Sequence, residues 1–202
     1  MFVVAVRSSN TAAAILRSYR SPSLPNLQLD DCKVWEACRA TSAATTFFDP
    51  VKIGKYGQEF IDGAIRYNNP IQLVHRETES LWPGRDLFLL SIGTGSAPGR
   101  PFKGNLKTVV SSLKEIVVQT EQTAEDFYHA HRHMASEDLL FRFNVYHGLA
   151  DIGLEEYREI PAIADATEEY LGKGETVKKL DACIGRLRAS LSEGIVDSRH
   201  LP

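Results

Sequence analysis

A short apolar strand that ends on an acid is expected at Gln58-Glu59-Phe60-Ile61-Asp62-Gly63-Ala64, and the turn after it closes with Asn68-Asn69-Pro70. The strand carries Asp62 into a Gly turn, at the carboxyl end of a strand, where a parallel sheet builds its functional sites. An Asp in this place can act as a general base if a Ser or Cys nucleophile lies within hydrogen-bond reach. Asp62 is therefore the candidate catalytic residue.

The nucleophile that such a base requires is missing from the sequence. A G-x-S-x-G elbow, which would expose a Ser on a sharp strand-to-helix turn, does not occur in the 202 residues. Ser42 and Ser96 have suggestive neighbours, but neither follows a strand-to-helix elbow, so both are interpreted as structural. Taken on its own, an Asp before Gly at a strand end is more often a turn former than a base.

Composition excludes several classes of protein. With 43% hydrophobic and 24% charged residues the chain is ordinary globular sequence of about one domain. The net charge of -3, with mixed signs, offers no basic field for a phosphate backbone, so no nucleic-acid partner is predicted. Cys32, Cys38 and Cys183 show no C-x-x-C spacing, which indicates reduced core thiols. Reduced thiols indicate an intracellular, cytoplasmic protein, and since no apolar run approaches a membrane span, the chain is predicted to be soluble.

The first residues predict an interior strand. Met1-Phe2-Val3-Val4-Ala5-Val6 is apolar without alternation, the pattern of a strand covered on both faces in a parallel sheet. Chain ends normally lie at the surface, in less demanding elements. The expectation is therefore that an element of the domain should precede this strand.

Helices and a second strand follow on either side of Asp62. The spacing of residues 33–44 predicts a helix. Its inward face is expected to be formed by Val34, Ala37, Cys38, Thr41 and Ala44. Asn69 is expected to cap a helix that begins at Pro70, with Ile71, Val74 and Thr78 facing inward. Residues 87–92 predict another doubly covered strand, and Gly93-Thr94-Gly95-Ser96 turns the chain at its end. Strand, helix and strand imply a parallel crossover.

Beyond residue 100 the chain is predicted to be mainly helical. The spacing from Leu106 to Phe127 indicates one long amphipathic helix that covers the sheet. Phe141, Phe143 and Val145 alternate with polar residues, which predicts a strand with one wet face. Two helices close the chain, the first ending at Gly172 and the second before Gly194.

Four side chains near the end of the long helix raise the question of a metal. His129 and His133 lie four residues apart, Glu125 adds an oxygen on their face, and His131 stands between them. Such a set can bind zinc, but a helix C-terminus also favours charged histidines through its dipole. The sequence is interpreted as having no metal and no cofactor.

Several segments together carry a resemblance to a known family. Five segments resemble the patatin-like phospholipases in sequence, order and spacing. They are residues 34–44, Phe47-Phe48, Asp62-Gly63-Ala64, Asn68-Asn69-Pro70 and residues 91–95. Residues 141–145 and 151–154 are similar to fungal members, so the likeness covers nearly the whole chain. The resemblance implies an α/β, three-layer domain with a mainly parallel sheet flanked by helices. It also implies a Ser-Asp acyl hydrolase without His or metal, in which Asp62, within Asp62-Gly63-Ala64, is the proton acceptor.

The family's Gly-rich oxyanion loop and its nucleophile elbow precede the region seen here, and neither is present. Residues 1–202 are thus expected to form a single partial domain that lacks its N-terminal half, with the sheet core in 1–100 and a mainly helical part in 101–202. Its function would be that of a C-terminal fragment of a lipid acyl hydrolase, inactive alone because nucleophile and oxyanion donors are absent.

Two other interpretations stay open. The chain could be a non-catalytic module that binds a partner or a lipid surface, or a separate polypeptide could supply the missing nucleophile. In the full-length form the expected partner is an acyl lipid or a membrane surface. An exposed sheet edge, where the missing half would dock, favours self-association.

Overall fold

The computed structural model describes residues 1–21, 32–45, 47–95, 107–149, 152 and 156–197, and gives side chains for these except at 107–118 and 192–197. Its strands are β1 (Phe2–Arg7), β2 (Ala13–Arg17), β3 (Val51–Ile53), β4 (Gln58–Asp62), β5 (Leu89–Ile92) and β6 (Leu140–Phe143). Its helices are α1 (Val34–Thr41), α2 (Ala64–Tyr67), α3 (Ile71–Leu81), α4 (Lys107–Ala130), α5 (Arg132–Ser136), α6 (Ile160–Gly172) and α7 (Gly174–Asp197), with a 3-10 helix at Tyr157–Glu159. Strands and helices mix along the chain, which confirms the α/β class.

The chain divides into two compact units. The first comprises residues 1–86 and 101–127, and the second comprises residues 87–100 and 128–202. None of the helices in the described ranges is both long and apolar enough to cross a membrane.

The first unit is built on a four-stranded sheet in the order β2-β1-β4-β3. All three neighbouring pairs run antiparallel, with Val3 opposite Leu16, Ala5 opposite Asp62, and Lys52 opposite Glu59. The prediction of a mainly parallel sheet is therefore wrong for this sheet. The predicted crossover is also wrong, because β4 and β5 lie in different sheets.

The burial predicted for β1 is confirmed even though the direction of its neighbours is not. Val4 is 8% exposed, and Ala5 and Val6 are fully buried, so both faces of the strand are covered. Consecutive apolar residues indicate that both faces are covered, and this pattern is most common in parallel sheets but is not restricted to them. Here a central strand of an antiparallel sheet produces the same pattern.

Two hairpins explain the antiparallel sheet. β1 turns into β2 through a loop in which the Asn10 side chain accepts the Ala12 N–H at 3.1 Å, and Thr11 adopts a φ of 54°. β3 turns into β4 through Gly54 and Gly57, whose φ values of 79° and 60° favour glycine. Asn and Gly are ordinary turn signals, so both hairpins had a local signature in the sequence.

Helix α1 lies on one face of this sheet. The buried cluster there consists of Ala5, Ala14, Leu16, Ala40, Ile53 and Phe60, with Ala37 packed against it. The predicted inward face is partly wrong, because Val34 is 75% exposed and Cys38 is exposed. The small Ala37 and Ala40 side chains allow close approach of helix and sheet, so the helix rests on them. It also ends at Thr41, three residues before the predicted end.

Helix α3 contains a buried acid that the apolar spacing did not predict. Ile71 is buried as expected, whereas Val74 and Thr78 are half-buried and Glu77 is only 1% exposed. Glu77 forms a two-pronged ion pair with Arg17 at the end of β2, with both nitrogen–oxygen distances 2.5 Å. The Tyr19 hydroxyl donates a third hydrogen bond at 2.9 Å. This cluster joins α3 to the sheet.

The second unit contains a parallel pair of strands, β5 and β6, in the register Leu89 to Leu140 through Ile92 to Phe143. Parallel pairing is thus confirmed in this part of the chain. The prediction that β5 is covered on both faces is wrong, because Leu90 is 43% and Ile92 78% exposed. Asn144, just after β6, is 2% exposed and accepts the Gly95 N–H at 2.8 Å, which ties together the chain segments that follow the two strands.

The helices after residue 100 follow the predicted pattern. The long helix, α4, extends to Ala130, α6 ends at Gly172 as expected, and α7 continues to Asp197, beyond the predicted end before Gly194. The three cysteines are free thiols. Cys183 is buried, Cys32 is half-buried and Cys38 is exposed. The prediction that the cysteines lie in the core is therefore wrong for Cys38.

Candidate active site

Strand β4 delivers Asp62 as its last residue, as predicted. Asp62 lies opposite Ala5 of β1, and its N–H donates to the Ala43 carbonyl at 3.0 Å. Ala43 is 1% exposed and lies two residues after the end of α1. Backbone contacts on two sides therefore fix the Cα of Asp62, so that its carboxylate projects from a rigid strand end.

The Asp62 carboxylate is held at one oxygen and left available at the other. Oδ1 accepts the Ala64 N–H at 2.7 Å, while Oδ2 accepts no hydrogen bond from any residue that the structure describes. Burial raises the pKa of Asp62 above its ordinary value, and the Ala64 N–H works in the opposite direction. A carboxylate whose pKa is raised is a stronger proton acceptor, which suits a general base.

Gly63 is required by a close approach between two backbones. A Cβ at this position would lie 2.2 Å from the Val4 carbonyl oxygen, a distance that real Cβ atoms do not reach. The same carbonyl accepts the Thr41 hydroxyl at 2.6 Å, so it is fixed in place. Gly63 thus lets α2 start directly against β1 and carries the Ala64 N–H to the Asp62 carboxylate.

We predict that Gly63→Ala destabilises the first unit by about 2–3 kcal/mol, because the added methyl group forces the backbone apart. The measurement is the free energy of unfolding by urea. Gly185→Ala is the matched control, since its Cβ would meet nothing within 4 Å and its place inside α7 favours Ala by about 0.5–1 kcal/mol. Equal stability of Gly63→Ala and the parent chain would contradict the close approach.

The two asparagines lie between α2 and α3, as predicted for turn residues, but the N-cap residue of α3 is Pro70 rather than Asn69, so the helix begins at Ile71 and not at Pro70. The Asn69 side chain accepts the Ile71 N–H at 3.3 Å at the start of α3, and Asn69 is buried. Both side chains also donate to Thr120 of α4, Asn68 to its hydroxyl at 2.9 Å and Asn69 to its carbonyl at 3.4 Å. Asn68 and Asn69 therefore join three segments of the first unit around the residues that follow Asp62.

The structure describes only one of the two serines that were considered from the sequence. The Ser42 hydroxyl donates to the Cys38 carbonyl at 2.9 Å, which is a local bond at the end of α1. Ser96 lies outside the described residues. Among the residues that are described, no hydroxyl bonds to the Asp62 carboxylate. The Asp62 carboxylate therefore has no hydroxyl partner in the part of the chain that the structure describes.

The histidines near the end of α4 do not form a metal site in the described ranges, where no three His, Cys, Asp or Glu side chains converge. His129 Nδ1 lies 2.9 Å from a guanidinium nitrogen of Arg132, and the rings of His131 and His133 are 6.2 Å apart. The helix breaks at His131, which precedes α5. This break changes the regular four-residue spacing that the zinc interpretation assumed.

Sequence reasoning missed two contributors to this site, Thr41 and Ala43. Thr41 fixes the Val4 carbonyl, and Ala43 fixes the Asp62 backbone. Both act through the chain leaving α1, in the Ala-Thr-Ser-Ala segment of residues 40–43. A run of small residues at a helix end was the only signal, and it did not indicate which strand the segment contacts.

Comparisons with known proteins agree with the resemblance noted from the sequence. The family model described as Patatin-like phospholipase matches residues 2–75, which include Asp62, Gly63 and Ala64. Over 133 residues the chain is 35% identical to "Phospholipase A I" of Arabidopsis thaliana, covering 63% of this chain and 10% of that protein. Over 199 residues it is 28% identical to "Calcium-independent phospholipase A2-gamma" of Rattus norvegicus, covering 93% of this chain and 25% of that protein.

A third relative carries a different description. The chain is 35% identical over 104 residues to "Probable inactive patatin-like protein 9" of Arabidopsis thaliana, covering 44% of this chain and 27% of that protein. No solved structure matches the chain significantly. The chain spans about a tenth to a quarter of the length of these curated relatives.

Proposed function

We propose that this chain is the C-terminal part of the catalytic domain of a patatin-like lipid acyl hydrolase, with Asp62 as its proton acceptor. The observation that carries the proposal is the Asp62 carboxylate at the end of β4, oriented by the Ala64 N–H and free at Oδ2 among the described residues. It lies in the segment that matches the patatin-like phospholipase model. Two of the relatives are named as phospholipases.

In the assembled hydrolase a Ser hydroxyl attacks the ester carbonyl carbon of an acyl lipid, and Asp62 accepts its proton. The proton then passes to the departing alcohol as the carbon–oxygen bond of the ester breaks, which leaves an acyl-enzyme. In the second half Asp62 takes a proton from water, the hydroxide attacks the acyl-enzyme, and the proton returns to the Ser oxygen as the fatty acid leaves. The rigid strand end and the Gly63 contact hold the base in place for both steps.

The nucleophile and the oxyanion donors are supplied from outside these 202 residues, which contain no G-x-S-x-G sequence. Loss of a single oxyanion donor lowers the rate by about a hundredfold to a thousandfold, and loss of the nucleophile removes the covalent route altogether. We therefore propose that the chain alone does not hydrolyse lipid esters.

A fluorophosphonate probe tests this proposal, because it reacts covalently only with an activated Ser. We expect no Ser of the purified chain to be labelled, while an active serine hydrolase in the same reaction provides the positive control. Mass spectrometry locates any modified residue. A labelled Ser in the purified chain would overturn the assignment of an absent nucleophile.

Sequencing the transcript upstream of the Met1 codon separates the ways in which the nucleophile could be supplied. An in-frame G-x-S-x-G sequence indicates a longer hydrolase. An in-frame stop codon leaves either a remnant or a complex in which a second polypeptide contributes the elbow. Purification of the tagged chain from its natural source then shows whether such a polypeptide accompanies it.

A second function is favoured by the relative named "Probable inactive patatin-like protein 9" and by one surface of the first unit. Trp35 is 62% and Phe48 56% exposed, and the Arg39 guanidinium lies 5.0 Å from the Phe48 ring centroid. Exposed aromatic residues beside a cation suit the lipid–water interface. In this alternative the chain binds a lipid surface without catalysis. Vesicle sedimentation distinguishes the two functions if Trp35→Ser abolishes binding while Asp62→Asn leaves it unchanged.

A further inference from the structure

Helix α7 has two neighbouring apolar faces, and only one of them is buried within the second unit. The inward face is formed by Thr176, Leu180, Cys183 and Leu187. All four are buried or half-buried. The outward face is a row of three residues, Val177, Ile184 and Leu191, which are 41%, 36% and 66% exposed. We call these three residues the outward row, an apolar surface that the proposed hydrolase chemistry does not use.

The outward row is symmetric along the helix axis. Its members repeat every seven residues, with Ile184 in the middle. A seven-residue repeat keeps side chains on nearly the same side of a helix, and paired helices use this repeat along their line of contact. At a rise of about 1.5 Å per residue, Val177 and Leu191 lie at equal distances on either side of Ile184. The outward row can therefore face a copy of itself.

Two exposed residues of opposite charge flank the outward row. Asp181 precedes Ile184 by three residues and Arg188 follows it by four. At about 100° per residue, both point to the side of the row that lies away from the inward face. If two copies of α7 run antiparallel about a twofold axis at Ile184, Asp181 of each copy lies beside Arg188 of the other, with an axial offset of about 1.5 Å. A parallel pair in register would place like charges together, so the charges favour the antiparallel direction.

We infer that α7 is a dimerisation surface on which a second copy of this chain docks antiparallel. In the dimer, Ile184 packs against Ile184 across the axis, and Val177 of each copy packs against Leu191 of the other. Both copies use the same surface, so the assembly closes at two chains. Burial of the outward row supplies the favourable free energy, and the two Asp181–Arg188 pairs determine the direction. This surface is distinct from the sheet edge that was expected to favour self-association.

Sedimentation velocity of the full chain measures this dimer directly. One helix face is smaller than the standard interface of about 800 Å² per partner, so we expect a weak dimer with a Kd on the order of 10–100 μM. Ile184→Asp places a charge at the axis and is expected to raise the Kd at least about tenfold. Because Ile184 is 36% exposed in the single chain, the circular dichroism of the variant should match that of the parent.

An exchange of the two charges tests the antiparallel direction. Asp181→Arg alone and Arg188→Asp alone are each expected to raise the Kd at least about fivefold, because like charges then face each other. The double variant, which carries both substitutions, should regain the Kd of the parent within about threefold. An equimolar mixture of the two single variants should form a heterodimer, because every charge then faces its opposite.

Ile92→Asp is the matched control, because Ile92 is a 78% exposed apolar residue of β5 in the same unit. It is expected to leave the Kd unchanged, whereas association through the sheet edge would be weakened by it. The inference is overturned if the parent chain stays monomeric at about 1 mM, a concentration well above the expected Kd. It is also overturned if Ile184→Asp leaves the dimer intact, or if the double charge variant associates as weakly as the single ones. Sedimentation of a monomeric chain with phospholipid vesicles that Ile184→Asp abolishes would assign the outward row to a lipid surface instead.

Discussion

Glu77→Gln is expected to lower the free energy of unfolding of the first unit by about 3–5 kcal/mol, the usual effect of removing one partner from a buried ion pair. The side chain of Glu77 is 1% and that of Arg17 7% exposed, so the substitution leaves the guanidinium buried without its counter-charge. It also weakens the hydrogen bond from Tyr19. Both tryptophans of the chain, Trp35 and Trp82, lie in the first unit, so their fluorescence during urea unfolding measures its stability.

Glu79→Gln is the matched control on the same helix. Glu79 is 62% exposed and lies 3.3 Å from His75, so its loss is expected to change stability by less than about 1 kcal/mol. Equal stability of the Glu77 and Glu79 variants would contradict the role of the buried pair.

The pH dependence of this effect follows from the direction of the Glu77 shift. The hydrogen bonds from Arg17 lower the pKa of Glu77 below its ordinary value of 4.5 in the folded state. Its contribution to stability is therefore complete above pH 4.5 and is lost as the pH falls through the lower folded-state pKa. The stability difference between the parent chain and Glu77→Gln is expected to narrow over that acidic range.

Asp62→Asn is expected to lower kcat for phospholipid hydrolysis by about a hundredfold to ten-thousandfold, the contribution of a positioned general base. The test needs a nucleophile, so we define the elbow fusion as this chain preceded by a G-x-S-x-G segment of a patatin-like phospholipase. Asn keeps the oxygen that accepts the Ala64 N–H but cannot take a proton at the second position. The geometry should therefore persist while the chemistry stops.

Two controls keep this result interpretable. Asp86→Asn removes an exposed carboxylate of the same unit and is expected to leave kcat unchanged. Urea unfolding of Asp62→Asn, followed by tryptophan fluorescence, is expected to show an intact first unit. An Asp62→Asn fusion that retains kcat would remove Asp62 from the reaction.

The local elements around Asp62 were predictable because their signals are local. The apolar run before Asp62 predicts its strand, and the Asn69-Pro70 pair predicts the start of α3 to within one residue, since the helix begins at Ile71. The turn that Gly63 allows was also expected. The reason for the glycine was not predictable, because the contact with the Val4 carbonyl joins residues distant in sequence.

Strand direction and buried charge were beyond the sequence patterns. Burial on both faces of β1 favours parallel pairing, but hairpins at residues 8–12 and 54–57 produce an antiparallel sheet with the same burial. The burial of Glu77 was not predicted, because helical periodicity considers only apolar residues. This burial depends on an ion pair with Arg17, which lies 60 residues away in the sequence. The similarity of residues 141–145 and 151–154 to fungal members stays a prediction.

The dependence of kcat/KM on pH, measured for the parent elbow fusion and for its Asp62→Asn variant, tests most directly whether Asp62 is the base. The reaction requires the deprotonated carboxylate, so the rate should fall as the pH drops through the pKa of Asp62, which burial raises above 3.8. We expect this acidic fall in the parent fusion, and a low, flat profile over the same range in the Asp62→Asn fusion. An identical profile and an unchanged rate in both proteins would contradict the assignment of Asp62 as the proton acceptor.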